Sequence, residues 1–236
     1  MTSLEIRYGS RGGPRSGHIR EGRRGVANPN FIVRAGETPP LRLNTDLGQR
    51  FPPDFLSTVP TNDQKLAYLR HEIAGALDLF ANYQRKFLDR YFDFIIDRCA
   101  GVATELDAGL AWSGGLLRAD DYAFSALWPL PDCSLTLSTS EGDKVAGTCD
   151  FAFWSGRNVI AVSLAAAPNQ KDRDNGATAP DMILPVAISA AELNADAELF
   201  SEPRFPSDFV TFWNNDPVPS SPFRSDGLTM PVQGAS

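Results

Sequence analysis

Asp150 is the residue in this chain best placed to do chemistry. Thr148-Cys149-Asp150-Phe151-Ala152-Phe153-Trp154 reads as a half-buried strand. Ser155-Gly156-Arg157-Asn158 is a turn, and Val159–Leu164 is a second, more buried strand. A strand-borne carboxylate is a hard oxygen donor of the kind that holds Mg²⁺. Metal-assisted phosphodiester hydrolysis needs further groups: more carboxylates to hold one or two cations, and a lysine to orient or deprotonate the attacking water. Asp132, before the first hairpin strand, and Glu72 and Glu105, on helical segments, are the carboxylates that could join Asp150. Lys144 precedes Asp150 and Lys171 falls in a polar stretch, so neither has the spacing of a hairpin lysine.

Other catalytic constellations fail more simply. His18 lies in a basic head and His71 in a helical segment with no neighbouring Ser or Cys nucleophile. Gly12-Gly13 and Gly114-Gly115 match neither a phosphate-cradling loop with its lysine nor a dinucleotide fingerprint. Cys99, Cys133 and Cys149 sit in apolar contexts, as buried thiols do, and with only two histidines they make no structural zinc pattern.

The elements that must position Asp150 follow from the apolar pattern. Thr61 with Gln64 has capping-box spacing. From there Leu66, Leu69, Ile73, Ala76, Phe80, Tyr83, Phe87, Tyr91 and Phe94 repeat every three to four positions. This predicts one long helix over 61–99, with a kink near Gly75 or a helical partner to cover it. Val102–Leu110 gives a second helical piece, and Ser134–Thr139 alternates as a strand that pairs with the Asp150 strand. Residues 168–180 are polar and read as a mobile loop; Met182–Ile188 is a fourth strand, and Ser189 caps a last helix. The expected fold is α/β, with α+β open: a small mixed sheet of about four strands behind a long helix.

Pro and Gly crowd into 9–60 and 200–236. The expected division is an irregular basic, Pro-rich arm over 1–60, an α/β domain over 61–200, and an aromatic, Pro-rich tail over 201–236. Charge divides in the same way. Residues 1–26 hold six arginines against Glu5 and Glu21, a net of +4, which leaves −11 of the total −7 on the remainder. An acidic body argues against a large non-specific nucleic-acid footprint. Arg7, Arg11, Arg15, Arg20, Arg23 and Arg24 are the residues that could touch nucleic acid or an acidic protein surface, and a solvated tail is the alternative. Phe209, Phe212 and Trp213 read as anchors for a partner or as a strap over the chain's own core. No apolar run is long enough to span a membrane and the N-terminal stretch lacks a signal-peptide core, so the expected location is the cytoplasm.

The strand-borne Asp150, the tight turn and the second strand resemble the catalytic hairpin of the PD-(D/E)xK nuclease superfamily, the restriction-endonuclease-like fold. That resemblance implies a Glu-x-Lys on the second strand, whose slots fall on Ser163 and Ala165. Some members draw a metal ligand from the first helix, which singles out Glu72. The candidate catalytic set is thus Asp150, Glu72 and Asp132, with Asp150 the one candidate metal ligand and Mg²⁺ the cofactor only if the chain is active. The resemblance therefore implies a non-catalytic subunit on a degenerate scaffold. Such a subunit would assemble with protein partners or copies of itself through helix 61–99 and both arms, with nucleic acid possible through residues 1–26. A metal-dependent nuclease with rearranged ligands and a structural component of a particle are the alternatives.

Overall fold

In a computed structural model, the described residues are 3–8, 30–44, 51–77, 81–138, 144–165, 182–195 and 198–212. They form a mixed α/β structure around one open sheet of six strands in the order β2-β1-β3-β4-β5-β6. The strands are β1 (Ser3–Arg7), β2 (Asn30–Val33), β3 (Leu130–Ser138), β4 (Lys144–Trp154), β5 (Val159–Ala165) and β6 (Ile183–Ser189). Every neighbouring pair is antiparallel except β5 and β6, which run parallel. The helices are α1 (Pro53–Ser57), α2 (Asn62–Gly75), α3 (Asn82–Gly101), α4 (Ala103–Gly109), α5 (Ala190–Asn194) and α6 (Ser207–Val210).

Six strands replace the expected four because two of them, β1 and β2, come from the stretch before residue 61. In β1, Leu4 and Ile6 alternate with Ser3, Glu5 and Arg7, and both apolar residues are fully buried between β2 and β3. Residues 34–44 then bond into the body: Leu41 donates its N–H to the Trp154 carbonyl and accepts from Trp128, and Leu43 donates to Ala126. The Trp154 indole donates to the Pro39 carbonyl at 3.0 Å. Gly156, at φ +91°, turns the β4–β5 hairpin beneath this segment. A Cβ there would lie 3.2 Å from the Pro40 ring, so glycine serves both the turn and the approach.

The single helix expected over 61–99 is two. Thr61 makes its capping box with Gln64, α2 ends at Gly75, and α3 begins at Asn82 and packs beside it. Arg70 on α2 ties the pair together through Asp89 at 2.7 Å and Asp93 at 3.3 Å on α3. Phe80 lies outside the described residues. The buried face of α3 is broader than the sequence stripe, since Leu88, Phe92, Ile95 and Cys99 join Phe87 and Tyr91.

The C-terminal aromatics cover this face rather than project from it. Phe205, Phe209 and Phe212 are buried. Phe209 stacks at 4.5 Å on Phe205 and meets Phe153 at 5.1 Å and Tyr91 at 5.6 Å. Of the two readings the sequence left open for Phe209 and Phe212, partner anchor or strap over the chain's own core, their burial supports the strap, because rings that large are stabilised most where water is excluded. Trp213 lies outside the described residues.

Ser189 caps α5 as expected: its hydroxyl accepts the Glu192 N–H, and the Glu192 carboxylate accepts the Ser189 N–H. The Ser189 N–H and hydroxyl, both donating to that carboxylate, with the ion pair to Arg204, lower the Glu192 pKa from 4.5 to about 2. The ionised form thus stabilises the fold above 4.5, and that contribution is lost as pH falls through about 2. In acid-unfolding titrations, Glu192→Gln is expected to remove this part of the pH dependence while leaving stability at neutral pH slightly lower. A wild-type acid profile in the variant would show that the capping bonds do not form.

Candidate functional site

The β4–β5 ladder runs from Trp154–Val159 to Phe151–Val162 and stops. Below that point β4 pairs with β3, and β5 continues beside β6 as far as Ala165–Ser189. The two strands fork, and Asp150 stands at the fork with only 9% of its surface exposed. A backbone N–H at such a divergence has lost its ladder partner and must find another acceptor. Leu164 finds it in Asp150: its N–H donates to Oδ2 at 2.6 Å.

The second oxygen is also engaged. On β3 the register places Pro131 opposite Phe151 and Cys133 opposite Cys149, which sets Asp132 opposite Asp150. Like charges facing across a ladder destabilise it. The Gln84 amide on the first turn of α3 relieves the pair, with Nε2 donating to Asp132 Oδ1 at 2.7 Å and to Asp150 Oδ1 at 3.1 Å. Asp132 itself adopts φ +49°, a left-handed conformation that carbon-branched residues rarely accept and that aspartate tolerates.

Of the expected catalytic set, the structure thus brings Asp132 and Asp150 together. Glu72 sits half-buried on α2 and does not join them in a metal-competent group, and Glu105 is exposed on α4. Sequence reasoning missed Gln84 altogether. The signal available was its place one helical turn before Phe87, whose ring meets Phe151 at 4.9 Å, next along the strand from Asp150. Ser163, at the implied Glu slot, is exposed, and alanine at 165 carries no donor. His71 is exposed on α2. Arg7 pairs with Glu5 at 2.9 Å on β1, while Arg11, Arg15, Arg20, Arg23 and Arg24, like His18 and Lys171, lie outside the described residues.

The three cysteines are free and buried. Burial raises the Cys99 pKa to about 12 and pushes Cys133 well above its ordinary value, with its neighbour Cys149 adding to the shift. The Cys99 and Cys133 thiols therefore stay protonated and are poor nucleophiles at neutral pH.

As a donor set the fork offers a cation two carboxylates, Asp132 and Asp150. Both Asp150 oxygens accept internal bonds, and among the described residues no group of three or more His, Cys, Asp or Glu side chains could hold a metal. A cation would compete with the Gln84 amide and the Leu164 N–H for those oxygens. Calorimetric titration of Mn²⁺ is therefore expected to show millimolar binding or none, and micromolar binding lost in Asp150→Ala would refute it. No helix among the described residues is long and apolar enough to cross a membrane. Comparison of the chain with models of known families, with curated proteins and with solved structures finds no match in any of the three.

Proposed function

We propose that the chain is a non-catalytic subunit, built on a degenerate nuclease-like scaffold, that assembles with protein partners; nucleic acid is a candidate third component through residues 1–26. The observation that supports this reading best is the state of Asp150. Its carboxylate closes the strand fork by accepting the Leu164 N–H and shares the Gln84 amide with Asp132, so its bonding capacity goes into holding β4, β5, β3 and α3 together. With serine and alanine in the slots where the resemblance implies Glu and Lys, the hairpin keeps a shape without the groups that activate water.

One observation favours a second reading, a metal-dependent nuclease with rearranged ligands: Asp132 and Asp150 face each other across β3 and β4. The two readings separate in a hydrolysis assay. The full chain, incubated with single- and double-stranded DNA and RNA in Mg²⁺ or Mn²⁺, is expected to cleave none of them above buffer. Cleavage that disappears in Asp132→Asn and Asp150→Asn variants of native fold would establish the second reading.

A further inference from the structure

Among the described residues β6 is the last strand of the sheet, paired on one side with β5. Beside it lies a groove of about 940 Å³, lined by each residue from Pro185 to Ser189 and by residues of the 192–204 stretch. Side chains of a strand alternate between its faces, so a groove touched by consecutive residues follows the strand's edge, where main-chain groups point.

Pro185 settles which groups those are. It stands inside the β5–β6 ladder opposite Ala161, a place open to a residue without an N–H only if its nitrogen faces away from β5. The alternation then turns Ala187 and Ser189 outward as well. The Ser189 N–H is held by Glu192 at 2.8 Å. What the edge offers a ligand is the Pro185 carbonyl together with the N–H and carbonyl of Ala187, and both residues are exposed.

The rim has a sign. Glu192 is paired with Arg204, so the exposed Glu198 and Glu202 leave the groove negative. Such a surface repels phosphate and attracts Lys and Arg.

We propose that this groove takes an extended segment of a partner protein, which adds to β6 as a strand and carries Lys or Arg opposite Glu198 and Glu202. The main-chain groups of Ala187 fix its register and the two carboxylates select its charge. The inference rests on the assembly reading above and names the surface that serves it.

The test is fluorescence anisotropy with the full chain and a labelled peptide in which arginine alternates with valine. Saturable binding is expected, weakening as salt rises. It should fall about tenfold or more when the peptide's outward amides are N-methylated, and likewise in Glu198→Lys/Glu202→Lys. Ala187→Pro, checked for native circular dichroism, should bind as weakly; if that variant does not fold, the N-methylated peptide makes the same test on the wild-type chain. The proposal is overturned if the arginine peptide does not bind saturably, if a glutamate–valine peptide or single-stranded DNA binds more tightly, or if N-methylation leaves the affinity unchanged. Failure here removes this site alone, whereas the assembly reading falls on metal-dependent cleavage in the hydrolysis assay.

Discussion

Deleting residues 1–26 is expected to abolish cooperative folding. The sequence suggested otherwise: an irregular basic arm over 1–60 lying outside an α/β domain over 61–200. β1 overturns that expectation, because it lies inside the sheet, bonded to β2 on one side and to β3 on the other. Its removal strips Leu4 and Ile6, both fully buried, from the core. Burial of each is worth about 1.5–3 kcal/mol. β2 then loses β1, its neighbour in the sheet among the described residues, and β3, with buried Leu135 and Leu137, becomes a raw edge. Together these losses approach the roughly 5–15 kcal/mol that holds an ordinary domain folded. Urea unfolding followed by circular dichroism checks this: the truncated chain should show no cooperative transition or precipitate. A sigmoidal transition at the wild-type midpoint would mean that β1 contributes nothing to the core.

Phe87→Asp is expected to be as damaging, by a different route. Phe87 is fully buried, with its ring 4.9 Å from Phe151 and 5.4 Å from Phe200. Removing such a ring costs about 3–5 kcal/mol before any charge is considered. A carboxylate in its place, among the Phe151, Phe153 and Phe200 rings, must stay buried at a further cost of several kcal/mol, or be exposed by opening the core. The variant should therefore elute as an unfolded or aggregated species. Phe87→Leu, which keeps apolar bulk, should lose about 1–3 kcal/mol and stay folded. A Phe87→Asp protein with wild-type mass and melting temperature would place Phe87 outside the core.

What could be read from the sequence was local. The hairpin around Gly156, strands β3 to β6, the Thr61 and Ser189 caps and the helical stripe all follow from alternation, turn chemistry and capping within a few residues. What could not be read was pairing at long range. Ser3-Leu4-Glu5-Ile6-Arg7 does alternate, but five residues beside an Arg- and Gly-rich stretch give no hint that they pair with residues 134–138. The C-terminal aromatics were visible as apolar mass; whether they covered their own chain or a partner depended on Tyr91 and Phe153, far away in sequence. The site shows the same limit. Asp132 and Asp150 could be named as carboxylates, but their juxtaposition is a matter of register, and Gln84 reaches them from a different element.

The central claim is that Asp150 holds the strand fork closed and performs no hydrolysis. Asp150→Ala tests it most directly when stability and nuclease activity are measured on the same samples. The variant should lose about 1–3 kcal/mol in urea unfolding, because the Leu164 N–H is left without its acceptor and the Gln84 amide keeps only its bond to Asp132. Neither protein should cleave DNA or RNA in Mg²⁺ or Mn²⁺. Metal-dependent cleavage by the wild-type chain, lost in an Asp150→Ala protein of undiminished stability, would contradict the account.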